Sequence, residues 1–128
     1  MEKYFANYNQ ALALKELGFD EPCLAFYDGT WDTKIYFNYK RDSSGDYEPF
    51  TTSERLNWFG VPLKSQVFEW FREEHGLNHM IDMNFRTNNY ITQLWKGREC
   101  FFDEHSIKTY EEAESACIDK LIEIVKSK

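Results

Sequence analysis

The chain has 128 residues, enough for one domain with a hydrophobic core and too few for two. Hydrophobic residues make up 42% and charged residues 29%, a globular balance that argues against wholesale disorder. The formal net charge is −7, and no cluster of Lys and Arg supplies the basic face that nucleic-acid binding normally needs. We therefore predict a single domain over residues 1–128 that does not bind nucleic acid.

Acidic and aromatic residues are the two unusual features of the composition. Between Glu99 and Val125 there are eight acids against two bases. Aromatic residues make up 18% of the chain, and Tyr and Trp are enriched at protein interfaces. Most acidic faces are only solvated, and most aromatic rings fill cores, so these features favour a partner surface without establishing one.

The cysteines and the chain start bear on the compartment. Cys23, Cys100 and Cys117 lie far apart and are odd in number, which argues against a disulfide framework and for a reducing cytosol. The first ten residues lack the apolar stretch of a signal peptide, and no run approaches the length of a membrane span. We predict a cytoplasmic protein with no membrane partner.

The first predicted helix lies in YNQALALKELGFDEP. Its apolar residues at helical spacing are Ala11, Leu14 and Leu17. Asn7 or Asn9 can cap its start. Gly18 stands where a left-handed closing residue belongs, Phe19 supplies the hydrophobic contact after it, and Pro22 prevents continuation.

The segment CLAFYDGTWDTKIYFNYK changes to a period of two, which predicts a β-hairpin. Asp28-Gly29 is a strong signal for a two-residue turn, and in that register Phe26 faces Trp31. Alternate residues of the second strand then share one side, namely Trp31, Thr33, Ile35, Phe37 and Tyr39. This alternation is typical of a sheet with one solvated face.

The middle of the chain contains a loop and a second helix. KRDSSGDYEP is a loop by composition, and TTSERLNWFG can form a single helical turn capped by Thr52 or Ser53. The second helix follows Pro62 and runs to about His75, where Gly76 closes it. Its apolar stripe is Leu63, Val67, Trp70 and Phe71.

Within this helix, the segment WFREEH is the strongest candidate for a catalytic cluster. A catalytic cluster would gather Arg72, Glu73, Glu74 and His75 beside an aromatic wall. Helical periodicity instead separates the aromatic pair from most of the charges. We predict that Trp70 and Phe71 are core residues and that His75 stands in the last turn, where its partial charge suits the helix dipole.

The C-terminal half is predicted to contain three strands and a helix. HMIDMNFRTNNYITQLWKGRECFF alternates in polarity, with turns at Asn88-Asn89 and Gly97 and a third strand near Cys100 to Phe102. The last helix opens at Thr109 in the capping box TYEE, closed by Glu112. Its inner stripe is Ala113, Cys117, Leu121 and Ile124, widened by Ile118 and Val125.

The order α-β-β-α-β-β-β-α predicts an α+β fold, an antiparallel sheet of about five strands with helices packed on it. Metal binding is disfavoured: His75 and His79 have ligand spacing, but Gly76 breaks the helix between them. His105 and Glu104 could join them only from a distance. We expect no metal ligand and no cofactor.

Nucleophilic catalysis is also disfavoured. Cys100 and Cys117 have the positions of small core residues, whereas the role of Cys23 stays open. No glycine-rich phosphate loop, nucleophile elbow or paired-carboxylate motif stands out. We expect no catalytic residue and interpret the chain as a non-enzyme.

Three stretches carry a resemblance: ALALKELGFDEPC, VPLKSQVFEWFREEHG and TYEEAESACIDKLIEIVKSK. They resemble a family of short uncharacterised proteins found in gut anaerobic bacteria and in their phages and mobile elements. The resemblance covers roughly half of the chain, at the three helices. It implies an accessory, phage-linked or horizontally moved cytoplasmic protein, and it carries over no catalytic or binding residue.

Two functions from different classes remain. The first is an accessory protein that binds another protein or its own copy, possible variants being an inhibitor or a DNA mimic. Its candidate surface is Tyr36, Tyr39, Tyr47, Phe50, Trp58, Phe59, Glu111, Glu112 and Glu114. The alternative is a small enzyme or ligand-binding domain with a pocket between sheet and helices, using His75, His79 or His105.

Overall fold

A computed structural model describes residues 2–28, 35–37 and 58–127, giving the backbone course alone for 2, 28, 35–37, 58 and 59. The chain divides into two compact units, Met1–Leu63 and Lys64–Lys128, which we call the first and second units. Each unit contains one three-stranded antiparallel sheet. In these ranges no helix has both the length and the apolar character that crossing a membrane requires.

The first unit opens with a 3₁₀ turn, Glu2–Tyr4, and helix α1, Tyr8–Glu16. The N-cap is Asn7, whose Oδ1 accepts the Gln10 N–H at 2.8 Å while Gln10 Oε1 accepts the Asn7 N–H at 3.0 Å. At the other end Gly18 has φ +96°, and the Phe19 N–H donates to the Leu14 carbonyl at 2.9 Å. The predicted helix and its closing residue are confirmed.

The first sheet consists of β1 (Ala25–Asp28), β2 (Ile35–Phe37) and β3 (Trp58–Val61), in the order β2-β1-β3. The predicted antiparallel pairing is present, but its register is wrong, since Phe26 lies opposite Tyr36 rather than Trp31. The register is shifted by five residues. Because five is an odd number, the other alternate set of second-strand residues lies opposite the buried side chains of β1. Burial of Ala25 and Tyr27 therefore outweighs the local turn signal.

Part of that hairpin prediction lies outside the described residues. This applies to the turn residue Gly29, to Trp31, Thr33 and Tyr39, and to the loop KRDSSGDYEP. The caps Thr52 and Ser53 of the predicted helical turn also lie outside them, whereas the end of TTSERLNWFG belongs to β3.

Strand β3 corrects the predicted architecture. It pairs with β1, Phe59 opposite Tyr27 and Val61 opposite Ala25. Over the residues that the structure describes, the order is thus α-β-β-β-α-β-β-β-α, with two three-stranded sheets in place of one sheet of about five strands. The α+β class is confirmed. Four residues are too few for a periodicity signal, and the partner strand lies far away in the chain, so local pattern does not reveal β3.

The core of the first unit lies between α1 and this sheet. Its cluster is Phe5, Ala11, Ala25, Tyr27 and Val61, with Tyr8, Leu12 and Leu63 packed against it. The Tyr8 ring meets the Tyr27 ring edge-on at 5.1 Å between centroids. The two ends of the unit also join, because the Ala6 N–H donates to the Pro62 carbonyl at 3.0 Å.

The second unit begins with α2, Lys64–His75. Trp70 and Phe71 are buried, whereas Arg72, Glu73 and Glu74 are exposed. The prediction for WFREEH is confirmed: the aromatic pair belongs to the core and the charges face solvent. Gly76 has φ +67° and closes the helix, as predicted.

The second sheet is a meander of β4 (Asn78–Asn84), β5 (Asn89–Lys96) and β6 (Glu99–Ile107), in the order β4-β5-β6. The three predicted strands and both turns are confirmed. Asn88 and Gly97 have φ +59° in the turns, the left-handed conformation that Asn and Gly tolerate best. Phe85, predicted as a strand residue, belongs to the first turn and is 88% exposed.

Helix α3, Tyr110–Lys126, covers one face of this sheet. Thr109 caps it as predicted, its Oγ1 accepting the Glu112 N–H at 3.1 Å. The buried residues of the helix are Ala113, Cys117, Ile118, Leu121, Ile122 and Ile124. They confirm the predicted stripe except for Val125, which is half-buried, and add Ile122. Thr92 and Leu94 of β5 are fully buried on the covered side.

Candidate functional site

We call the side of the second sheet that bears Thr92 and Leu94 the inner face and the opposite side the outer face. Strand alternation and register assign the outward residues. The outer face consists of Asn78, Met80, Asp82, Asn84, Asn89, Ile91, Gln93, Trp95, Cys100, Asp103 and His105, together with Phe101 at the bulge between Cys100 and Phe102. Met80 is 40% and Phe101 37% exposed, while Ile91 and Trp95 are half-buried. The apolar side chains of the outer face are thus only partly covered, and most of its other residues are polar.

A hydrogen-bonded array crosses the outer face from β5 to β6. The Trp95 Nε1–H donates to Gln93 Oε1 at 3.1 Å, and the Gln93 Nε2–H donates to Asp103 Oδ1 at 3.2 Å. His105 Nε2 lies 2.7 Å from the same Oδ1 and donates to it, because a carboxylate only accepts. The four side chains, each hydrogen-bonded to the next, therefore fix one another's orientation.

The array also keeps Asp103 ionised. The hydrogen bond from Gln93, followed by those interactions with His105 that favour the charged form, holds the pKa of the Asp103 carboxyl below its usual range. Its neighbour Glu104 behaves likewise, because hydrogen bonds from Ser106 and His105 lower the pKa of that carboxyl. The carboxyl groups of Asp103 and Glu104 are therefore negatively charged at neutral pH.

The predicted acidic candidates lie at the start of α3. Glu111 and Glu112 are exposed in the first turn. Glu114 is 19% exposed, and its Oε1 lies 3.9 Å from Nζ of Lys64, a buried lysine of α2. Burial raises the pKa of the Glu114 carboxyl, and the Lys64 ammonium opposes this effect. Glu114 therefore links α3 to α2, whereas Glu111 and Glu112 face solvent.

The predicted aromatic candidates belong to the first half of the chain. Tyr36 occupies the central position of β2, opposite Phe26, while Trp58 and Phe59 open β3. The remaining candidates, Tyr39, Tyr47 and Phe50, lie outside the described residues.

Sequence reasoning missed the outer face of the second sheet. One signal was available, because β5 carries apolar residues at both parities: Ile91 and Trp95 on one side, Tyr90 and Leu94 on the other. A strand covered on one face alone shows a cleaner alternation. The array itself depends on the pairing of Gln93 with Asp103, which requires the bulged register of β6.

The three histidines occupy different surroundings. His79 stacks on Phe68 of α2 at 3.7 Å between centroids, and burial, followed by the Arg72 charge, lowers the pKa of its imidazole. It lies on the inner face opposite Leu94, whereas His105 lies on the outer face. His75 packs edge-on against Trp70 at 5.0 Å. Over residues 2–28, 35–37 and 58–127, no three His, Cys, Asp or Glu side chains form a possible metal site.

The three cysteines are free thiols. Burial raises the pKa of Cys23 and of Cys117 to about 12, so both are protonated at neutral pH and suit small core residues. The prediction that Cys100 is a core residue is wrong, because it is exposed opposite Trp95 on the outer face. Simple alternation puts Cys100 on the same side as Phe102, but the bulge between them turns Cys100 to the outer face.

The space between the second sheet and α3 is filled. Thr92, Leu94, Cys117 and Leu121 are each at most 1% exposed. A concavity is found instead at the solvent side of the α3 C-terminus, an open depression of about 490 Å³. It is lined by Asp119, Ile122, Glu123, Lys126 and Ser127. The hydroxyl of Ser127 in this lining donates to the Ile124 carbonyl at 2.8 Å.

No known protein family, curated protein or solved structure matches this chain. The resemblance of its three helical stretches to proteins of gut bacteria and their phages therefore stays a prediction.

Proposed function

We propose that this chain is a small acidic accessory protein that acts by binding another protein through the outer face of β4–β6. The observation that carries the proposal is the apolar, partly open surface around Met80, Trp95 and Phe101, built on a fixed hydrogen-bonded array. Methionine and aromatic side chains are enriched at protein interfaces, and contiguous exposed apolar patches commonly mark binding sites. Rigid polar groups within such a surface add specificity.

Three features support binding rather than catalysis. The thiols of Cys23 and Cys117 are protonated at neutral pH, and the inner face is closely packed against α3, with the space between them filled. His79 and His105 lie on opposite faces of the sheet. A pocket enzyme would require a cavity with converging titratable groups. A surface binder requires only the exposed patch that the second unit has.

The compartment and origin belong to the same proposal. Free thiols at Cys23, Cys100 and Cys117 support a reducing compartment such as the cytoplasm. The resemblance of the helical stretches supports an accessory role linked to phages or mobile elements. DNA imitation has less support, because the Lys120 ammonium pairs with Glu123 at 3.1 Å and places a positive charge among the acidic residues of α3.

The test is partner capture with matched surface variants. Met80→Asp places a charge on the outer face, and Leu24→Asp places the same charge on an exposed apolar residue of the first unit, 55% exposed. We expect wild type and Leu24→Asp to retain the same partner from a lysate of the source cells, and Met80→Asp to lose it. Thermal melting checks that both variants fold.

Equal recovery with both variants would contradict the outer face as the contact surface. Repeated absence of any partner, with a monomer by light scattering, would contradict the binding function itself.

A further inference from the structure

The outer face carries a net negative charge at a defined position. Its outward carboxylate and imidazole side chains are those of Asp82, Asp103 and His105. No Lys or Arg takes an outward position on β4, β5 or β6, strands that the structure describes throughout. Negative charge within an apolar surface favours a cationic group on the partner.

Asp103 is the carboxylate best prepared for that role. Its Oδ1 already accepts from both Gln93 and His105, so the side chain is held in one orientation. Its Oδ2 accepts no hydrogen bond from the residues that the structure describes. A carboxylate that is already ordered loses little conformational entropy on binding, which strengthens a charge-assisted hydrogen bond.

Asp82 is less well prepared. Its Oδ1 accepts the Met83 N–H at 2.8 Å, a bond to the adjacent residue of its own strand, and no side chain of a neighbouring strand fixes it. Trp95 is the diagonal neighbour of Asp103 across β5 and β6, since Gln93 lies directly opposite. Diagonal neighbours on one face lie about 7–8 Å apart, within reach of one long cationic side chain. An indole face also attracts Lys and Arg.

We propose that Asp103 anchors a Lys or Arg side chain of the partner, so that the outer face selects a basic segment with apolar residues on either side. This inference rests on the proposed protein-binding function. The partner differs from this chain, because a second copy placed on the outer face would bring Asp82 and Asp103 of both molecules together. Like charges in contact disfavour that arrangement.

The test uses three acetylated and amidated nonapeptides of leucine and serine that differ only at the central residue: Arg, Gln or Glu. Binding is followed by NMR through the Trp95 indole N–H, which donates to Gln93 within the array. The resonance is assigned with Trp95→Phe. The variants are Asp103→Asn, which removes the charge with little change of shape, and Glu112→Gln, which removes one exposed charge from α3.

We expect wild type to bind the Arg peptide about fivefold more tightly than the Gln peptide, and the Glu peptide most weakly. Asp103→Asn should lose the preference for Arg, and Glu112→Gln should keep it within about twofold. Survival of the Arg preference in Asp103→Asn, or its loss in Glu112→Gln, would overturn the anchor.

The remaining outcomes separate the anchor from the proposed function. Equal binding of the Arg and Gln peptides refutes the anchor but leaves the outer face as a binding surface. No Trp95 shift with any peptide at millimolar concentration refutes the anchor, and the capture experiment with Met80→Asp then decides the function alone. A Trp95 shift that follows protein concentration without peptide would identify a second copy as the occupant and also overturn the proposal.

Discussion

The two sheets of this protein differ in how their strands find each other. In the second unit β4, β5 and β6 follow one another through short turns, and Asn88 and Gly97 supply the left-handed residues those turns need. In the first unit β3 returns from a distant part of the chain to pair with β1. There the register between β1 and β2 departs from the one that Asp28-Gly29 indicates.

The difference shows when a local signal is sufficient. A turn defines register where it directly joins two strands whose burial pattern agrees with it. In the first unit the buried residues Ala25 and Tyr27 each pair with one residue of β2 and one of β3. Ala25, for example, lies between Phe37 and Val61. A central strand must satisfy two neighbours and a helix at once, so packing decides its register.

The largest effect should come from the core of the second unit. Phe71→Ala removes a fully buried ring and should lower the free energy of unfolding by about 3–5 kcal/mol. Amide hydrogen exchange resolves the comparison, since the loss of protection should be greatest in β4–β6. Comparable or greater loss of protection in β1 would contradict this expectation.

Phe85→Ala is the matched control for that substitution. It removes the same ring from a turn residue that is 88% exposed, so the free energy of unfolding should change by less than about 0.5 kcal/mol. A cost near that of Phe71→Ala would show that the turn is packed rather than solvated.

A smaller effect should come from the helix caps, one in each unit. Asn7→Ala removes the capping box of α1, and Thr109→Ala removes the cap of α3. Each should cost about 1 kcal/mol in urea unfolding. Asn9→Ala is the control, because Asn9 was an equal candidate for the cap by sequence and lies inside the helix. A cost for Asn9→Ala equal to that for Asn7→Ala would refute the assigned N-cap.

The predicted pH dependence concerns His79 of the second unit. Burial lowers the pKa of His79 below its ordinary value of 6.5, so the folded state disfavours the protonated imidazole. The associated stability is fully present above pH 6.5 and is lost as pH falls from there through the lower folded pKa, because the unfolded chain binds the proton first. Urea midpoints between pH 7.5 and pH 5 should fall for wild type and fall less for His79→Gln.

Above pH 6.5 the midpoints of wild type and His79→Gln should keep a constant difference. Equal slopes below pH 6.5 would show that the stacked imidazole does not account for the acid sensitivity. Near-identical exchange protection in β1 at both pH values would confine the effect to the second unit.

The sequence alone determined the three helices, the Thr109 cap, the closing residues Gly18 and Gly76, the buried stripe with Trp70 and Phe71, and the β4–β6 meander. Each follows from periodicity, capping or turn chemistry within a few residues of chain. It also suggested a partner surface from aromatic and acidic excess, but placed it on Glu111, Glu112 and Glu114 and on residues of the first half.

Only the tertiary structure decided the rest. Strand β3, the register of β1 with β2 and the exposure of Cys100 depend on which segments meet and which face a helix covers. The array from Trp95 to His105 needs β6 to pair with β5 through two irregularities. Such contacts join residues whose spacing in the chain carries no period, so burial and pairing energies, which act over the whole unit, select them.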